Sequence, residues 1–244
     1  MKMFESLNPG WNALAYTANE GSTLLYQLHM PDNYDATRKY PLILYMHGAG
    51  SKCSDNSHIY APHAKFLRNF ECGAYKNEAL MLAPCCPKDG SWVQNRERTQ
   101  TTLDFTLAPT VQMQAVIELL DIVQNCLSVD SSRLYLQGNS MGAHATWELI
   151  TRFPGRFAAN VPAAGAGDPK FASALKNTPI WIFHGNADEV VPYECSVLMY
   201  DALRKAGSTG VLFTTLDGLG HGIWPAMADT EGLYEWLFSQ RSKG

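Results

Sequence analysis

The sequence predicts an α/β fold: a mostly parallel, doubly wound sheet with helices on both faces and no large lid domain. Two observations carry this. Short apolar runs alternate with longer segments of helical period. The polar residues suited to chemistry fall just after apolar runs, where ligands bind in such sheets. The 244 residues suit one domain spanning 1–244.

Near the start, Asn12–Thr17 and Thr23–Met30 flank Glu20-Gly21 and predict a β-hairpin. Pro41–Met46 is a continuous apolar run ending at a glycine turn, as expected of a strand buried on both faces. Ala79–Ala83, Leu134–Gln137, Phe157–Pro162, Pro179–Phe183 and Val211–Thr215 predict further strands. Thr110–Cys126 places Val111, Ala115, Leu119, Ile122 and Val123 near a 3.6-residue period. Ala143–Arg152, Tyr193–Lys205 and Ala226–Phe238 complete the expected helices.

A net charge of −4 gives no footprint for nucleic acid, and no apolar run approaches the ~20 residues of a membrane span. Neither partner is expected. The opening MKMFESLNPGWNALAY lacks the apolar segment of a signal peptide, so the chain is cytoplasmic as written or secreted with a leader removed. Six cysteines are too sparse for a disulfide scaffold. Buried or free thiols are the first reading, one or more disulfides the alternative. Oligomeric state is not readable.

Gly138-Asn139-Ser140-Met141-Gly142 matches G-x-S-x-G and follows the strand LYLQ. A serine hydroxyl is a weak nucleophile and must be exposed on a sharp turn within reach of a base. The flanking glycines remove side chains that would collide with the adjoining strand and helix. Asp188 follows the strand PIWIF, and His221 lies in a loop after the last strand. Ser140, Asp188 and His221 therefore form a candidate nucleophile, orienting acid and base, each on a post-strand loop. A base must be neutral to act, so the rate is expected to fall in acid. His47-Gly48-Ala49-Gly50 follows the PLILYM strand, and the N–H groups of Ala49 and Met141 are the candidate oxyanion donors.

With APCCPKDGSW between the first two, HGAG, GNSMG, HGNADEVVP and GHGIW resemble the esterase and predicted-peptidase group of α/β-hydrolases. That group includes feruloyl and acetylxylan esterases of carbohydrate esterase family one and polyhydroxybutyrate-depolymerase-like relatives. The similarity runs roughly from Pro31 to the C-terminus. Ala143 stands where the group often has another glycine, and Asn139 where small or hydrophobic residues are common. The resemblance implies an α/β-hydrolase fold and acyl transfer through Ser140.

Competing readings remain for several residues. Asp168 is a rival acid, or a cap for a helix starting near Pro169. Glu189 reads as a solvated charge and Asp217 as a turn residue. His47, His144 and His184 lack zinc-helix spacing and an accompanying carboxylate cluster, so no metal and no cofactor are expected, and chelator should not inhibit. His47 is a candidate brace for the oxyanion turn and a candidate substrate contact. Trp92 and Trp224 are candidate walls of an acyl pocket, whereas Trp147 reads as helix core.

The connection Ala163–Thr178 is too short for a cap domain, so an open site is expected. Pro84–Pro109 is the expected specificity segment. The leading substrate is a feruloyl or acetyl ester of plant cell-wall polysaccharide, with a small-molecule ester also possible. A general cytosolic carboxylesterase or thioesterase is the alternative, and a prolyl-oligopeptidase-like peptidase is a further one. A silent binding module would need a broken triad.

Overall fold

The computed structural model describes Phe4 and Leu7 through Tyr60 with Ser6, then residues 64–73, 75–94, 97 and 100–242. One eight-stranded sheet organises these residues. Its strands are β1 (Gly10–Thr17), β2 (Thr23–Met30), β3 (Tyr40–Met46), β4 (Leu80–Cys85), β5 (Val129–Asn139), β6 (Ala159–Ala163), β7 (Ile180–Gly185) and β8 (Val211–Leu216). They lie in the order β1-β2-β4-β3-β5-β6-β7-β8. β1 and β2 form the expected hairpin, and β2 pairs antiparallel with β4. All other neighbours are parallel.

The helices are α1 (Lys65–Cys72), α2 (Val111–Cys126), α3 (Met141–Arg152), α4 (Ala172–Leu175), α5 (Glu194–Lys205), α6 (Trp224–Ala228) and α7 (Leu233–Ser239). Side-chain alternation along the central strands divides the core in two. Leu42, Leu44 and Met46 of β3 pack with α2, α3 and α5. Ile43 and Tyr45 face the other way, with α1, α6 and α7. Both faces of the sheet are therefore covered, which is why β3 reads as an unbroken apolar run. α2 begins where Thr110 accepts a hydrogen bond from the Met113 amide, at 3.1 Å.

One expectation needs correction. The single helix expected over Ala226–Phe238 is two helices, α6 and α7, separated by a turn. Gly232, at φ 77°, adopts a left-handed conformation that an α-helix cannot continue through. The sequence also did not reveal α1, whose Phe66, Leu67 and Phe70 are buried.

No inserted cap stands between β6 and β7; a 3₁₀ turn at Pro169–Phe171 and α4 fill that connection. No described helix is long and apolar enough to cross a membrane. The described cysteines are all free thiols, with Cys72 and Cys126 exposed.

The strand order reverses around β3. From β3 the chain moves to β4 on one side, then crosses back to β5 on the other. A crevice opens at the carboxyl ends of strands at such a point. There His47 follows the end of β3 and Ser140 the end of β5.

Candidate active site

Ser140 sits between β5 and α3 at φ 54°, ψ −117°. A non-glycine residue in this region is strained by about 1–3 kcal/mol, so the surroundings must hold it. Its N–H donates to the Ala163 carbonyl at 2.9 Å, and its own carbonyl accepts from the His144 N–H at 3.1 Å. The flanking glycines are steric necessities. A Cβ on Gly138 would lie 2.2 Å from the Gly142 carbonyl oxygen, and one on Gly142 would lie 1.8 Å from the Met46 oxygen. Asn139 points away from the serine: it accepts from Gln137 at 2.7 Å and donates to the Tyr45 hydroxyl at 3.3 Å.

The candidate acid and base arrive on neighbouring loops. The Ala187 N–H donates to the Leu219 carbonyl at 3.0 Å, joining the two. Gly185 permits this approach, because a Cβ there would meet the Leu219 oxygen at 2.2 Å. Asp188 Oδ2 lies 2.7 Å from His221 Nδ1, and His221 Nε2 lies 2.9 Å from Ser140 Oγ. Facing a carboxylate, Nδ1 carries the proton, so Nε2 offers a lone pair to the serine O–H. Asp188 Oδ1 accepts from the Val190 and Val191 amides at 2.8 and 2.9 Å.

Burial by itself would raise the Asp188 pKa. Hydrogen bonds from His184, His221, Val191 and Val190 outweigh it and hold the carboxyl well below the usual carboxylate range. The acid therefore stays ionised through neutral pH. His184 was not singled out as a support, yet it lies beneath Asp188. Its Nε2 donates toward Val191 O at 3.0 Å and faces Asp188 Oδ2 at 3.3 Å, while Nδ1 meets the Ser196 hydroxyl at 2.7 Å. The Asp-x₃ offset from His184 is the one sequence cue to this pairing.

The opposite wall is a shelf formed by residues 47–52. Gly48 precedes a 3₁₀ turn at Ala49–Ser51 and lies against the elbow: a Cβ there would be 3.4 Å from Ser140 Cβ. Ala49 opens that turn and Met141 opens α3, so neither N–H has a partner within its own helix. Met141 directly follows the serine in the chain, and Gly48, which precedes Ala49, packs against it.

His47 and Trp92 are corrected here, since neither reaches the open site. Both are fully buried. His47 Nδ1 donates to Gly48 O at 2.8 Å and Nε2 accepts from the Cys86 N–H at 2.9 Å. Trp92 Nε1 donates to the His47 carbonyl at 3.0 Å. The segment after β4 folds into the core behind the shelf, so these rings support it from below. Trp224 is also largely buried and presents an edge to His221, with ring centroids 5.3 Å apart at 83°.

Asp168 caps the turn at Pro169–Phe171, accepting from the Lys170 amide at 3.1 Å, and is not beside His221. Asp217 accepts from Asn186 at 2.7 Å in the base loop, and Glu189 is exposed. His144 Nδ1 accepts from the Ala166 amide at 2.7 Å, and Trp147 is buried in α3. Residues 95, 96, 98 and 99 of the expected specificity segment lie outside the described residues. Its residues Val93, Gln94 and Leu103 are among those lining a cavity of about 260 Å³ with Glu148 and Lys170, and neither Ser140 nor His221 borders that cavity.

Comparison with known proteins identifies the family. Residues 34–230 match the family model described as phospholipase/carboxylesterase. The chain is 29% identical over 85 residues to the bifunctional acetylxylan esterase/xylanase of Neocallimastix patriciarum, a match covering 35% of this chain and 13% of that protein. It is 46% identical over 46 residues to acyl-protein thioesterase 1 of Neurospora crassa, covering 19% of this chain and 18% of that one. Among solved structures, a thermostable esterase superposes with a TM-score of 0.79 at 30% identity, covering 95% of this chain and 63% of that one. The fold is that of the α/β-hydrolases, and the chain belongs to the phospholipase/carboxylesterase family.

Proposed function

We propose that this chain is a serine-dependent carboxylic ester hydrolase that removes acetyl, or less readily feruloyl, groups from plant cell-wall polysaccharide. The observation that carries the chemistry is the unbroken hydrogen-bonded series from Asp188 through His221 to Ser140. In this reading Ser140 Oγ attacks the ester carbonyl as its proton passes to His221 Nε2. The developing oxyanion accepts hydrogen bonds from the Met141 and Ala49 amides. Collapse breaks the acyl–oxygen bond, and His221 returns the proton to the leaving alcohol. Water then attacks the acyl-serine by the same route, with Asp188 holding the imidazole throughout.

The substrate class rests on less. A site without an inserted cap suits a polymer-borne ester, and the stretch resembling an acetylxylan esterase points the same way. Burial of Trp92 removes one of the two aromatic walls that a feruloyl group would use, which favours acetyl. A second reading, thioester hydrolysis, draws support from the short, strong similarity to acyl-protein thioesterase 1.

The test compares initial rates on acetylated xylan, methyl ferulate, 4-nitrophenyl acetate and a palmitoyl thioester, with Ser140→Ala as blank. The blank is expected to lose at least ~10³ of kcat while remaining folded. Preference for acetylated xylan supports the proposal. A thioester rate far above the others moves the assignment to the second reading. Activity retained by Ser140→Ala rejects the mechanism.

A further inference from the structure

A second cluster of reactive side chains lies behind the shelf. Cys53 follows the 3₁₀ turn at Ala49–Ser51, His58 belongs to a 3₁₀ turn at Ser57–Tyr60, and Cys85 ends β4. All three are buried, and their Sγ, ring-nitrogen and Sγ atoms lie within 4.8 Å of one another. Chain spacing hides this group, because Cys85 is distant in sequence from the other two. The expectation of no metal rested on other histidines, His47, His144 and His184.

The histidine's orientation is the informative feature. His58 Nε2 donates to the Ala83 carbonyl at 2.9 Å, which places the ring proton on Nε2. Nδ1 is left with its lone pair, which accepts from the Cys53 thiol at 3.8 Å. A metal-ligating histidine is oriented in this manner, its far N–H donated to a backbone carbonyl. With Zn–S near 2.3 Å and Zn–N near 2.0–2.1 Å, tetrahedral zinc separates sulfur from nitrogen by about 3.6 Å and sulfur from sulfur by about 3.8 Å. Side-chain shifts of ~1 Å or less would complete that triangle.

We propose that Cys53, His58 and Cys85 form a binding site for a thiophilic divalent metal ion, zinc foremost, that staples the shelf to the end of β4. Binding replaces two thiol protons: Zn²⁺ and two R–SH give the neutral bis-thiolate and two H⁺, with imidazole as the third ligand. Zero net charge suits a buried position, where an unpaired ion would be costly. Two sulfurs and one nitrogen select zinc or cobalt over magnesium and calcium, which take oxygen ligands. The backbone is already tied at this place, the Cys53 N–H donating to the Cys86 carbonyl at 3.3 Å. Cys86 also holds His47, so the staple would reach the turn carrying Ala49.

The experiment uses the full chain with the exposed thiols removed, Cys72→Ser and Cys126→Ser. This protein is refolded under reducing conditions with one equivalent of Zn²⁺ or Co²⁺, then gel-filtered. Expected are about one ion per chain, two protons released per ion, thiolate-to-cobalt charge-transfer absorption, and a Tm raised by about 5 °C. Adding Cys53→Ala or Cys85→Ala should abolish the absorption and the zinc-dependent Tm shift. If these variants do not fold, the parent's cobalt spectrum still decides. Absence of thiolate charge transfer in the parent, or equal uptake by a folded Cys53→Ala chain, overturns the site. A Cys53–Cys85 disulfide in air-exposed protein, with no uptake by the reduced chain, does so too. The initial ester rate reports separately on the catalytic proposal.

Discussion

The loop carrying the proposed acid, Asp188 (the acid loop), and the shelf carrying the proposed oxyanion donor Ala49 are each held from beneath by a buried histidine, but the two are built for different electrostatic tasks. Under the acid loop, His184 points an N–H at a carboxylate and a carbonyl, and its other nitrogen meets a hydroxyl that can donate or accept. Under the shelf, His47 Nε2 must accept from the rigid Cys86 amide. That bond exists only while Nε2 is unprotonated. One loop is organised around a charge that must persist, and the other around a ring that must remain neutral.

The largest effect comes from unbalancing the acid loop. Asp188→Asn keeps the size of the side chain but no longer selects the Nδ1–H tautomer of His221. A loss of about 10⁴ in kcat is expected with Tm little changed, as read by steady-state kinetics beside thermal melts. A loss of less than tenfold would remove Asp188 from the mechanism. Gly185→Ala tests the seam between the acid and base loops. Its Cβ would collide with the Leu219 carbonyl, and displacement of His221 by ~1 Å should lower kcat by about 10². An unchanged kcat would show that the seam is not needed for alignment.

The shelf should respond through stability. Trp92→Phe removes the N–H donated to the His47 carbonyl. A cost of about 1 kcal/mol is expected in denaturant unfolding, with KM nearly unchanged because the ring does not reach the site. A selective rise in KM for aromatic esters would restore Trp92 to the pocket.

Acid sharpens the contrast. Burial, and then the nearby His58 and Lys52 charges, push the His47 pKa down to about 3, the hydrogen bond to Gly48 opposing only in part. The unfolded chain, with its histidine near ~6.5, binds the extra proton first as pH falls. His47 thus contributes stability present above about pH 6.5 and lost progressively toward pH 3. The expected slope is at most ~1.4 kcal/mol per pH unit from this residue. Unfolding free energies measured from pH 7 to 4 on wild type and His47→Gln should converge in acid. Parallel curves would deny His47 this role.

Much of the site was legible because its signals are local. A serine between two glycines after an apolar strand, and an acid and base after later strands, need only the chain order to be recognised. The short β6–β7 connection likewise excluded an inserted cap domain. Asp168 before Pro169 carried its capping role in plain view. By contrast, nothing local distinguishes Trp92 as a support from Trp92 as a pocket wall, since both uses want a large amphipathic ring. The choice depends on where the segment after β4 packs.

The sequence by itself determined the strand series, the elbow and the order of its chemical groups, because strand period, glycine sterics and post-strand position act over a few residues. Tertiary structure alone decided that His184 lies beneath the acid loop, that Trp92 faces inward, and that Cys53, His58 and Cys85 meet. Those outcomes follow from packing between segments tens of residues apart, where burial and hydrogen-bond satisfaction are settled by neighbours that local spacing does not identify.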